Sequence, residues 1–156
     1  MDLKYDPAHE EREWFVQRVC WGLMALAVIA ALVGFLGSGP ISRKTSGGET
    51  LRVKYQRFGR YQAPAELKIY CRPEAGERFE LSFDRAFIES SEIEEISPEP
   101  EKTRSEGDRY VYMFQKGEGG EHLVTFRIKG ERFGKQTAKV MLNGTQSVNI
   151  QTFYWP

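Results

Sequence analysis

The sequence predicts one transmembrane α-helix followed by an all-β domain, an immunoglobulin-like sandwich of about seven strands. Three observations carry this prediction. Residues 19–36 contain no charge and no proline. Short runs of alternating apolar and polar residues fill residues 50–156, and turn-forming residues separate them. Alternation with a period of two is typical of strands that bury one face.

The apolar segment predicts a transmembrane helix over residues 19–38. A helix needs about 20 mainly apolar residues to cross the hydrocarbon core of a bilayer, and the chain stays uncharged from Val19 up to Arg43. Residues 1–18 form a tail that continues into this helix, because Asp6 and Pro7 favour a helix start and no breaker follows them. We expect one helix over about residues 7–37.

A cleaved signal peptide is the alternative, and the sequence argues against it. Residues 1–18 contain three basic and five acidic residues, whereas a signal peptide begins with a positive segment. The apolar segment also exceeds the roughly 7–15 residues that are typical of signal peptides.

The side of the membrane on which the β-domain lies is less clearly marked. Arg43 and Lys44 follow the helix, and counting positive charges favours a cytoplasmic domain. Charges inside a long domain carry less weight, however. We expect a bacterial inner-membrane protein with its β-domain on the periplasmic or extracellular side.

Small residues recur four positions apart in the predicted helix, which favours close packing with a second helix. This predicted helix-packing face consists of Ala27, Ala30, Ala31, Gly34 and Ser38.

A polar linker over residues 39–49 leads to the β-domain, residues 50–156. The alternation predicts an inward face made of Leu51, Val53, Tyr55, Leu67, Ile69, Cys71, Phe79, Leu81, Phe83, Tyr110, Tyr112, Phe114, Val124, Phe126, Ile128, Ala138, Val140, Leu142, Val148 and Ile150. Asn143 and Gly144 predict a hairpin turn between the last two runs. Residues 86–96 fit either a short helix or a broken strand.

Composition and residue types argue against catalysis, metal binding and a bound cofactor. Histidine occurs only as His9 in the tail and His122 in the domain, too few for a blue-copper or a zinc site. His122 is the only candidate general base, and we expect it to be a solvated or edge-strand residue. The cysteines, Cys20 and Cys71, fall in the helix and in a strand, so we expect no disulfide between them.

Formal net charge is zero, so nothing points to nucleic acid, but the charges are segregated. Residues 40–72 contain eight basic and two acidic residues, and residues 73–108 contain four basic and twelve acidic ones. Basic and aromatic residues alternate most closely at Arg57, Phe58, Arg60 and Tyr61. We expect these four to contact a protein partner or membrane lipid.

These features favour a non-enzymatic, single-pass accessory or interaction subunit of a larger membrane assembly. Its expected partner is an integral membrane protein, reached through the helix and the membrane-proximal face, and homo-oligomers are compatible with the same face. The alternative is a membrane-tethered sensor whose sandwich binds a small ligand or glycan. Exposed aromatic side chains in a groove, away from the membrane, would favour that alternative.

Overall fold

A computed structural model describes residues 7–33, 42–74 and 76–156 of the chain. One N-terminal apolar helix precedes a mostly β part that forms two sheets. Helix α1 covers Pro7–Val33. Proline suits this first position because the N–H that it lacks would have no helical partner there. The predicted continuation to residue 37 lies outside the described residues.

The apolar part of α1, Trp14–Leu32, is long and apolar enough to cross a membrane, a property that signal sequences share. None of this segment is buried inside the structure. Phe15 and Leu32, for example, are 66% and 76% exposed. The segment is therefore not a core helix of the described β-domain.

The remaining described residues form eleven strands and one short helix. The strands are β1 (Arg43–Gly47), β2 (Leu51–Gln56), β3 (Phe58–Arg60), β4 (Pro64–Cys71), β5 (Arg78–Asp84), β6 (Ser91–Ser97), β7 (Lys102–Glu106), β8 (Arg109–Gln115), β9 (His122–Gly130), β10 (Gly134–Leu142) and β11 (Gln146–Trp155). Helix α2 covers Arg85–Glu89. The strand order is β1-β2-β4-β9-β6 in the first sheet and β3-β11-β10-β5-β8-β7 in the second.

The two sheets pack face to face around an aromatic centre. The Phe126 ring in the first sheet lies 4.9 Å from the Phe83 ring and 5.4 Å from the Tyr112 ring, both in the second sheet (centroid distances). The predicted inward residues are buried, apart from Tyr110, which is half-buried against the core. The predicted hairpin turn is also confirmed, because Asn143 and Gly144 both have positive φ, 50° and 69°.

The predicted number of about seven strands is too low. The missed strands β1, β3 and β7 lie at sheet edges, and β1 and β7 show no alternation because nearly all of their side chains are exposed. Strand β1 occupies residues that the sequence assigned to the linker. The ambiguous segment, residues 86–96, divides between α2 and β6.

Candidate interaction surface

The chain changes sheets at Arg57, directly after β2. The Arg57 N–H donates to the Ser42 carbonyl at 2.6 Å, and the Arg57 carbonyl accepts from the Phe153 N–H at 2.7 Å. The Ser42 hydroxyl in turn donates to the Phe58 carbonyl at 2.9 Å. These bonds join the point where the chain arrives from α1 to the start of β3 and to the end of β11.

The basic and aromatic residues singled out in the sequence lie together at this end. Arg57 and Arg60 are exposed, whereas Phe58 and Tyr61 are half-buried. The Arg57 guanidinium lies 5.5 Å from the Phe58 ring centroid. Strand β3 pairs in parallel with β11, so that Phe58 lies beside Phe153.

Strand β11 and the β9–β10 loop add residues that the sequence did not single out. The ring centroids of Phe133 and Tyr61 are 4.4 Å apart, and those of Phe153 and Trp155 are 4.8 Å apart. The local sequence Glu-Arg-Phe-Gly at residues 131–134 repeats the basic–aromatic pattern. This repetition is the sequence signal that could have pointed to the β9–β10 loop. We call the following set the anchor-end surface: Arg57, Phe58, Arg60, Tyr61, Arg132, Phe133, Phe153 and Trp155.

Tyr154 fills the space beneath the anchor-end surface. It is 1% exposed, and burial raises the pKa of its phenol to about 12. Two glycines make room for its ring, since a β-carbon at Gly59 or Gly130 would lie 2.8 Å or 2.6 Å from ring atoms. The aromatic C-terminus therefore packs onto the sandwich.

The predicted helix-packing face is described only in part. Ala27 and Ala31 are exposed on α1, and Ala30 is half-buried. Gly34 and Ser38 lie outside the described residues. The described part of this face makes α1 locally narrow, as close helix packing requires.

A polar groove of about 650 Å³ lies on the outer face of the first sheet. Its floor includes Lys54, Lys68, Tyr70 and Arg127. Glu66 pairs there with Lys68 at 3.0 Å, and this bond lowers the pKa of the Glu66 carboxyl. The groove thus contains charges of both signs that are partly paired with one another.

The acidic segment, residues 89–101, does not pair with Arg57 or Arg60. Glu95 binds Arg127 at 3.2 Å and Glu101 binds Arg78 at 2.9 Å, while Glu94 binds Lys129. Acidic residues of this segment therefore pair with basic residues of β5 and β9, and Arg57 and Arg60 take no part in this pairing among the described residues.

His122 is half-buried and does not lie on an edge strand, whereas the sequence predicts a solvated or edge-strand residue. Strand β9 lies between β4 and β6, and the imidazole stacks on Phe79 at 5.5 Å between ring centroids. The His122 carbonyl accepts a bond from Cys71 Sγ at 3.6 Å, and burial raises the pKa of the Cys71 thiol to about 12. Both residues therefore serve packing.

Among the described residues, no group of three or more His, Cys, Asp or Glu side chains is arranged to hold a metal ion. Comparison of the chain with protein-family models, with curated proteins and with solved structures found no match.

Proposed function

We propose that this chain is a single-pass membrane protein that acts as a non-enzymatic accessory or interaction subunit of a larger membrane assembly. The observation that carries the proposal is the apolar segment Trp14–Leu32, which is 19 residues long and packs against nothing in the described structure. Burying one apolar side chain of this kind is worth about 1.5–3 kcal/mol. A whole helix of them is stable only in a bilayer or against partner helices.

The strand order supports an immunoglobulin-like arrangement within the sandwich. The constant-type fold places its strands in the orders A-B-E-D and C-F-G. If β2, β4, β5, β6, β9, β10 and β11 are taken as A to G in chain order, the observed neighbours reproduce both orders. Strands β1, β3, β7 and β8 are then additions. Such a sandwich is a rigid support for contacts and does not by itself imply an activity.

In this proposal the integral membrane partner packs on α1. The small side chains of Ala27, Ala30 and Ala31 let another helix approach closely. The anchor restricts the β-domain to the membrane surface, which raises its effective concentration near the partner. We expect the β-domain on the outer side of a bacterial inner membrane.

The alternative function, a membrane-tethered ligand or glycan sensor, would use the polar groove. Tyr70 is the half-buried aromatic residue that lines it. The other half-buried or exposed aromatic residues of the described β-domain are concentrated at the anchor-end surface instead. That distribution favours the interaction subunit.

The test is purification of the full-length protein from its native host in mild detergent, followed by identification of what co-purifies. We expect a stoichiometric membrane partner, which is lost when Ala27→Leu and Ala31→Leu fill the small-residue face. The control Ile29→Phe adds bulk about 200° around the helix from Ala27 and should retain the partner. Recovery of the wild-type protein alone would contradict the proposal.

A further inference from the structure

The arginines of the described β-domain fall into two groups. One group forms ion pairs with acidic side chains: Arg52, Arg72, Arg78, Arg85, Arg104, Arg109 and Arg127. The other group has no acidic oxygen within 4.0 Å among the described residues and lies at or beside the anchor-end surface: Arg43, Arg57, Arg60 and Arg132. Positive charge that is balanced elsewhere is thus left unbalanced at one end.

Neighbouring acidic residues offset this positive charge only in part. Lys44 and Lys135 are also exposed here and likewise form no ion pair within the described chain. Glu131 is exposed in the adjoining β9–β10 loop. Glu66 and Glu94 are paired with Lys68 and Lys129, and Glu66 also interacts electrostatically with Arg43. A surface with this excess of basic groups attracts phosphate or carboxylate groups from outside the chain.

An exposed aromatic residue lies among these charges. Phe133 is 57% exposed, whereas the other aromatic side chains of the described β-domain are buried or half-buried. It belongs to the β9–β10 loop, and its ring packs against Tyr61. Aromatic rings beside arginine and lysine are typical of surfaces that lie at the headgroup level of a bilayer.

The connection to α1 limits how far this end of the domain can lie from the helix. Residues 34–41 separate Val33 from Ser42, and a fully extended segment of this length spans at most about 30 Å. Ser42 is bonded to Arg57 and to Phe58, inside the anchor-end surface. The opposite end, with the Asn143–Gly144 turn, is a strand length further away.

We propose that the anchor-end surface docks on the anionic phospholipid headgroups of the membrane that holds α1. Arg57, Arg60 and Arg132 bind lipid phosphates, and Phe133 enters the interface beside them. This inference rests on the proposed membrane anchoring. From the sequence, this surface could contact either lipid or a protein partner, and the present proposal assigns it to lipid. The protein partner then binds α1.

The form of the surface favours lipid over a protein ligand. The groove on the first sheet lies on its outer face, and a second depression lies at the far end, near Asn143. Phe133 and Arg132 instead lie exposed on the β9–β10 loop and line neither depression. A basic residue near an anionic membrane strengthens binding by about fivefold, so losing three arginines should weaken docking by roughly a hundredfold.

The test places an environment-sensitive fluorophore at residue 133 through Phe133→Cys, in full-length protein that also carries Cys20→Ser. Cys71 is buried and stays unlabelled. The protein is reconstituted into vesicles of phosphatidylcholine alone and of an equimolar mixture with phosphatidylglycerol. A label introduced by Glu118→Cys, in the loop at the far end, is the positional control.

We expect a blue-shifted, brighter emission from position 133 only in the anionic vesicles, weakened by salt, and no change at position 118. Combined Arg57→Gln, Arg60→Gln and Arg132→Gln should abolish the shift. The charge-matched control Arg52→Gln, Arg72→Gln and Arg78→Gln, which removes arginines that are ion-paired, should preserve it.

Two outcomes would overturn the lipid proposal. Emission that stays the same in both kinds of vesicle, from protein that resists alkaline extraction, would refute docking and leave the membrane anchoring intact. Emission that shifts in native membranes but in neither kind of vesicle would assign the surface to a protein. Protein that fails to stay in vesicles at all would instead refute the anchoring.

Discussion

The substitution Gly130→Ala tests the packing that supports the anchor-end surface from beneath. A β-carbon at residue 130 would lie 2.6 Å from Cε1 of Tyr154 and 2.7 Å from two further ring atoms. Because the ring is 1% exposed and Gly59 also approaches it closely, it has little room to move away.

The expected cost follows from this overlap. Carbon atoms in favourable contact are about 3.5–4.0 Å apart, so the new methyl group would overlap the ring by about 1 Å. Overpacking of a well-packed core costs about 1–3 kcal/mol. We expect about 2–3 kcal/mol of the free energy of unfolding to be lost, since the obstacle is a rigid buried ring. The melting temperature should fall by roughly 10 °C.

The assay is thermal unfolding of the full-length protein in detergent, followed by near-ultraviolet circular dichroism. Gly120→Ala is the control, because a β-carbon there meets no atom within 4 Å. A double-mutant cycle with Tyr154→Leu isolates the contact, and in that background Gly130→Ala should cost less than about 0.5 kcal/mol. A wild-type melting temperature for Gly130→Ala alone, or an undiminished cost when it is combined with Tyr154→Leu, would refute the reasoning.

Two further predictions concern the stability of the β-domain. Burial raises the pKa of Cys71 from 9.0 to about 12. The contribution of the protonated Cys71 thiol to the free energy of unfolding is therefore complete below about pH 9 and is lost as the pH rises toward 12. In urea unfolding, Cys71→Ala should therefore reduce the alkaline loss of stability by about 2–3 kcal/mol at pH 11; an equal loss in both proteins would contradict this. Arg109 donates to the Ser82 and Lys139 carbonyls at 3.3 and 2.8 Å, so Arg109→Met should cost about 1–3 kcal/mol of unfolding free energy. The exposed control Arg72→Met should cost less than about 1 kcal/mol, and equal costs for the two would exclude a special role for Arg109.

The central strands could be predicted because their alternation is a direct consequence of one buried face. Val53, Phe126 and Val140 each belong to a strand in which every second residue faces the core. The edge strands β1 and β7 carry no such pattern, since they have no buried face. The alternation of apolar and polar residues therefore identifies the sandwich but underestimates the number of strands in its sheets.

The sequence indicates the continuous part of the candidate surface but not the residues that are distant in the chain. Arg57 to Tyr61 are neighbours in the chain, so their basic–aromatic pattern is visible directly. Phe133 joins Tyr61 only because the loop from β9 to β10 lies beside the end of β3, a juxtaposition that depends on the whole sheet topology. That Arg57 has no ion pair among the described residues, whereas Arg78 pairs with Glu101, is likewise a property of the three-dimensional structure, since the two arginines look alike in the sequence.

The central claim is that α1 is retained and holds the β-domain in a membrane. The most direct measurement is alkaline extraction of membranes from the native host, followed by the intact mass of the extracted and pelleted protein. We expect the chain to remain in the pellet with α1 still attached. Release into the soluble fraction, or a mass that lacks α1 as after cleavage of a signal sequence, would contradict the claim.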